Sequence, residues 1–97
     1  MLSKAILVKL VAKEGKESEV EEFLKSAKVM IENEPGTRTW YAIKLSPTEY
    51  GIFDTFDDEF GMQFHLHGEV AKALAAQAPN LFSENPVISS YDILANT

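Results

Sequence analysis

The chain has 97 residues, of which 45% are hydrophobic and 25% charged, with a formal net charge of −6 and no cysteine. A chain of this length supports a single hydrophobic core, so residues 1–97 are read as one domain. The acidic balance opposes binding by phosphate neutralisation, which excludes nucleic acid and anionic membrane surfaces as partners. The missing thiols exclude disulfides, thiolate catalysis and cysteine-ligated metal or iron–sulfur sites.

The apolar run from Ala5 to Ala12 is interrupted by Lys9 and is too short to span a bilayer. It carries no small-residue cleavage pattern, so the expected location is the cytoplasm. Residues 3–12 read instead as a strand, rich in Ile, Leu and Val without a helical period. After the turn Lys13-Glu14-Gly15-Lys16, the spacing of Val20, Phe23, Leu24, Ala27 and Ile31 predicts an amphipathic helix. Glu17, Glu19, Glu21 and Glu22 crowd its start and Lys25 and Lys28 follow, the order that the helix dipole favours. This acidic run is a solvated helix face rather than a metal site. Pro35 disfavours helical backbone at Glu34 and ends the helix.

Residues 37–45 and 50–56 form two further strands, joined through Ser46-Pro47-Thr48-Glu49 as an antiparallel hairpin. Asp57 or Asp58 caps a helical stretch in which Phe60 and Phe64, then Val70, Ala73 and Leu74, are apolar. Gly68 divides it into two short helices, and Pro79 is expected to stop the second. Residues 87–94 give the last strand. The order is βαββαβ, a ferredoxin-like α+β fold: a four-stranded antiparallel sheet with helices on one face.

Side chains on a sheet with one wet face should alternate between apolar and polar, and these alternate poorly. Ile6, Val8 and Leu10 point one way, and Ala5, Leu7 and Val11 the other; Ile52 and Phe56 oppose Phe53. Both faces need a cover, and 97 residues contain only one layer of helices. The second cover is expected to be the sheet of another copy, in a homodimer that buries on the order of 2,000 Å².

The segment Glu34-Pro35-Gly36-Thr37, the strand holding Trp40, the run Gly51-Ile52-Phe53-Asp54-Thr55-Phe56 and the stretch His65-Leu66-His67-Gly68 resemble the antibiotic biosynthesis monooxygenase family. The branch that the chain resembles is a set of short quinol monooxygenase-like proteins, and the likeness spans nearly its whole length. It implies a dimeric α+β barrel with a ligand held between sheet and helices, and cofactor-independent oxygenation of a phenolic or quinol-type aromatic molecule. The polyketide-oxidising members carry an Asn four residues before a Trp at the end of the third strand and a Tyr six residues after it. Here those places hold Ile52, Phe56 and Met62, none of which donates a proton or a hydrogen bond. The haem-degrading members use an Asn on the first strand and a His in the last helix; this first strand has no Asn, and the helical place falls near Ala75.

His65 is the leading candidate for acid–base chemistry, since imidazole exchanges protons near neutrality. In the alternative, it donates to a backbone carbonyl and fixes the helix junction. His67, two positions on, points elsewhere and completes no metal ligand set. Asp54 is a carboxylate in an otherwise apolar strand, where it orients His65 as a dyad, pairs with Arg38 or Lys44 across the hairpin, or lies at an exposed strand end. Arg38 and Trp40 are expected to share a face, where the guanidinium either binds an anionic or quinone oxygen of a ligand or lies at a solvated edge. Phe53, Phe56, Phe60, Phe64 and Phe82 are read first as core residues; their abundance still makes a flat aromatic ligand plausible, with Phe53, Phe56, Phe64 and Leu74 as the candidates for its apolar pocket. No phosphate loop or flavin fingerprint is present, so no organic cofactor is expected. Three functions follow: a cofactor-free monooxygenase, an isomerase or other proton-transfer enzyme using His65, and a non-catalytic dimer that binds an apolar metabolite.

Overall fold

The computed structural model describes residues Met1–Thr97. Its elements, in chain order, are β1 (Lys4–Val11), α1 (Glu17–Ile31), β2 (Thr37–Lys44), β3 (Glu49–Phe56), α2 (Glu59–Leu66), α3 (Glu69–Leu81) and β4 (Val87–Asp92). The strands form one antiparallel sheet in the order β2-β3-β1-β4, so the hairpin β2–β3 pairs directly and β1 lies between the strands that follow it at a distance. This is the ferredoxin-like α+β arrangement expected from the sequence, with the tandem helices α2 and α3 standing where a single helix closes the simplest version.

Local chemistry accounts for the boundaries. Asp58 is extended and its Oδ1 accepts a hydrogen bond from the Gly61 amide at 2.8 Å, which caps α2. Gly15 turns the chain into α1 with a φ of 83°, open to glycine at no steric cost. Gly36 and Gly61 bring the start of β2 against the start of α2 so closely that a Cβ on Gly36 would lie 2.8 Å from the Gly61 Cα. One expectation fails. Pro79 does not stop α3 but sits inside it, and the helix continues to Leu81 before Phe82 turns extended. Pro79 stands two residues before the end of the helix, where little helix follows the donor it lacks, and its carbonyl accepts from Lys13 Nζ at 2.5 Å.

Strand pleating sorts the side chains into two sets. Ile6, Val8, Leu10, Ile52 and Phe56 face the helices and pack with Val20, Leu24, Met62 and Leu74 into the main core. On the opposite face, register places Tyr41 beside Phe53 and Phe53 beside Leu7, an apolar row across three strands. All three of these side chains are exposed in the single chain. No helix is long and apolar enough to cross a membrane.

Candidate functional site

The inner register row that runs Trp40, Asp54, Ile6 and Ser90 puts one carboxylate among apolar neighbours. Asp54 is 0% exposed, in the middle of the sheet and under α2. An uncompensated charge there costs far more than a surface carboxylate does, so the local structure has to supply a partner. His65, in the last turn of α2, does so: its Nε2 lies 2.7 Å from Asp54 Oδ2. The contact is close but not aligned, and both Asp54 oxygens lack a well-directed donor. The other ring nitrogen, Nδ1, donates to Glu34 Oε1 at 2.6 Å. Glu34 lies in the turn between α1 and β2, and the same oxygen accepts from the Thr37 hydroxyl at 2.9 Å. Glu34 Oε2 is buried without a partner, and a Cβ on Gly68 would come within 2.9 Å of it, so the α2–α3 junction packs directly against the carboxylate.

Three titratable groups thus stand in line, carboxylate, imidazole and carboxylate. Burial pushes the Asp54 carboxyl above the usual range, only partly opposed by His65, and the nearby negative charge of Glu34 adds to the rise. Burial pulls His65 downward, but the hydrogen bonds and charges of Asp54 and then Glu34 outweigh it, and the net shift is upward. The Phe56 ring, with its centroid 5.4 Å from that of the imidazole and tilted by 42°, walls the pair off from the core. His65, Asp54 and Glu34 bond to one another rather than converging on a common point, and they form no group able to hold a metal ion.

The His65 ring also forms part of the wall of a cavity of about 300 Å³ between the inner face of the sheet and α3. Eleven of its fifteen lining residues are hydrophobic, so a ligand there is held by burial of apolar surface. Ile6, Val8, Ile52 and Ile88 form the sheet side, Leu74 and Ala78 the helix side, and Trp40 one end.

The architecture recurs closely in a solved structure, the NE2512 protein of unknown function from Nitrosomonas europaea. Its TM-score is 0.98 at 42% identity, with 100% of this chain and 94% of that chain covered. The chain belongs to one family with NE2512. More distant structures share the fold. One named "Putative antibiotic biosynthesis monooxygenase", also from Nitrosomonas europaea, has a TM-score of 0.85 at 14% identity over 98% of this chain and 93% of that one. Another of that name, from Caulobacter crescentus CB15, has a TM-score of 0.81 at 20% identity over 97% of this chain and 92% of that one. The NE2512 family thus carries the antibiotic biosynthesis monooxygenase fold, in agreement with the resemblance seen in the sequence. No protein-family model matches the chain, and no curated protein does.

The structure brings together His65 and Asp54, the two titratable candidates, and puts Trp40 and Leu74 in the cavity wall. Neither alternative partner reaches Asp54: Lys44 pairs with Glu21 at 2.8 Å and Arg38 with Asp57 at 3.6 Å. Arg38 does not accompany Trp40, because a bulge between Thr37 and Thr39 shifts the register of β2 and leaves the guanidinium on the surface. Three phenylalanines stand outside the cavity. Phe53 alternates with Asp54 and so lies on the outer face; Phe56 is wholly buried in the core; Phe64 faces solvent on α2. His67 ends α2 exposed. The residue that the sequence did not single out as part of the site is Glu34, which entered only as the position before Pro35 and as the start of the segment Glu34-Pro35-Gly36-Thr37. A weak signal exists in its setting, a lone carboxylate on a turn whose next residues include Pro35, Gly36 and the hydrogen-bonding Thr37.

Proposed function

We propose that the chain is a cofactor-independent oxygenase of the antibiotic biosynthesis monooxygenase type, acting as a homodimer on a small phenolic or quinol-type aromatic molecule. The observation that supports this most directly is the apolar cavity with the His65 ring in its wall, backed by two buried carboxylates. In the proposed reaction, the substrate hydroxyl gives its proton to the His65–Asp54 pair, whose upward shifts favour holding it. The electron-rich anion then reacts with oxygen in a water-poor pocket. One oxygen atom stays on the ring carbon as a carbonyl and the other leaves as water, with both hydrogens drawn from the substrate: SH2 + O2 → SO + H2O. The homodimer would form through the exposed apolar sheet face.

A specific observation favours a second reading. Both imidazole nitrogens already contact carboxylates, so His65 must swing or release one of them before it takes a substrate proton. A triad that only tethers α2 to the sheet beside a binding cavity has no such requirement, and the protein is then a non-catalytic binder of an apolar metabolite. Oxygen uptake over a panel of quinols and anthrones separates the two. The enzyme reading expects uptake by the wild type and a loss of about 100-fold or more in His65→Gln. Ligand-dependent thermal stabilisation with no oxygen consumed and no product formed would leave the binding reading in its place.

A further inference from the structure

A second hollow, of about 460 Å³, lies between α1 and the free edge strand β2. It arises from side-chain size. Trp40, Ala42 and Lys44 alternate onto the helix side of β2, and the small middle residue stays exposed, so α1 does not close onto the strand there. Leu24, Trp40 and Ala42 give the groove an apolar floor. Its charged rim is mostly cationic: Lys25 and Lys28 from α1 and Lys44 from β2, with Glu21 as the one carboxylate. That carboxylate is already shared, since it pairs with Lys44 at 2.8 Å and accepts from the Tyr50 hydroxyl at 2.7 Å. Lys28 approaches Glu32 only to 3.7 Å, between two exposed side chains, and Lys25 makes no ion pair. With Lys44 paired to Glu21 and Lys28 to Glu32, the groove and its ion partners keep an excess of one cation, centred on Lys25, in a chain whose net charge is −6.

We propose that this groove binds a small amphipathic anion, a molecule with an aliphatic or aromatic body and a single carboxylate or sulfonate head. The body lies on Leu24, Trp40 and Ala42, where apolar surface is removed from water. The head meets Lys25 and Lys28, whose hydrocarbon stems extend the floor while their ammonium groups stay solvated. Cationic ligands are turned away by the same lysines, and neutral ones gain burial alone. The site is independent of the inner cavity, although the Trp40 indole is a wall common to both.

Isothermal titration of the intact protein with decanoate and with decanol tests the assignment. The wild type is expected to bind decanoate more tightly than decanol. The Lys25→Gln/Lys28→Gln variant should lose about fivefold of its decanoate affinity and none of its decanol affinity. Raising the salt concentration should weaken decanoate binding in the wild type alone. Leu74→Phe, which crowds the inner cavity, should leave decanoate binding unchanged, so a failure of the oxygenase reading leaves this result standing. The proposal is overturned if the wild type binds decanoate no better than decanol or not at all, or if the lysine variant keeps wild-type affinity. It is equally overturned if Leu74→Phe abolishes binding, since the ligand then sits in the inner cavity.

Discussion

On the inner face of the sheet, the row Trp40, Asp54 and Ile6 carries a carboxylate and is buried apart from the half-buried Trp40; one residue along, the outer row Tyr41, Phe53 and Leu7 carries no charge and is exposed. The two rows belong to the same three strands and differ only in the direction of the pleat. Polarity alone would have assigned them the other way round. Helix geometry decides instead: α2 and α3 cover one side, and there the carboxylate is tolerated because His65 and Glu34 come with the cover. The outer row has no cover within the chain. A buried charge is thus a mark of a site, and an exposed apolar row is a mark of a missing neighbour.

Placing a charge on the outer row is the harshest way to break this comparison. Phe53→Lys is expected to abolish association, so that the sedimentation mass at micromolar concentration falls from that of two chains to that of one, with little change in the folded circular dichroism spectrum. A wild type that sediments as one chain would show that the outer row needs no neighbour. On the inner row, His65→Ala removes the partner of a fully buried carboxylate and should cost about 3–5 kcal/mol in urea unfolding. The double variant His65→Leu/Asp54→Leu should recover most of that loss, because it removes the charge together with its need for a partner. If His65→Ala alone is neutral, the triad does not hold the helix to the sheet.

A gentler probe is pH. His65 binds its proton more tightly folded than unfolded, so its contribution is fully present below the unfolded value of 6.5 and is lost as pH rises through the raised folded value. The raised Asp54 acts with the same sign from its unfolded value of 3.8 upward. Stability to urea should therefore fall as pH rises above neutrality, by at most about 1.4 kcal/mol per pH unit for one proton. His65→Gln should remove the part of the slope that belongs to the imidazole and leave that of Asp54, which loses the partner opposing its rise, whereas Phe53→Lys, on the other face, should leave the whole slope intact.

The fold was legible in the sequence because each element carried its own local signal: the 3.6-residue stripe from Val20 to Ile31, the hairpin at Ser46–Glu49 and the break at Gly68. Pro79 misled because a proline near the end of a helix removes one donor without forcing the chain to turn. The site was only partly legible. Asp54 stood out as a charge in an apolar strand and His65 as a proton carrier among aromatics, but their 2.7 Å approach joins residues from different elements. Arg38 was misassigned to the face of Trp40 because a bulge shifts pleat parity and leaves no mark in composition.

The sequence by itself determined the order of the elements, the excess of apolar surface on both sides of the sheet and the presence of one histidine and one carboxylate in apolar surroundings. Each of these follows from periodicity and side-chain chemistry, which act over a few residues. Only the tertiary structure decided that Glu34 would complete the triad across 31 positions in the chain, that Trp40 would stand as the wall between the inner cavity and the outer groove, and that Phe53 would face outward. Those outcomes depend on strand register and on where α2 and α3 come to rest, distances that no local pattern encodes.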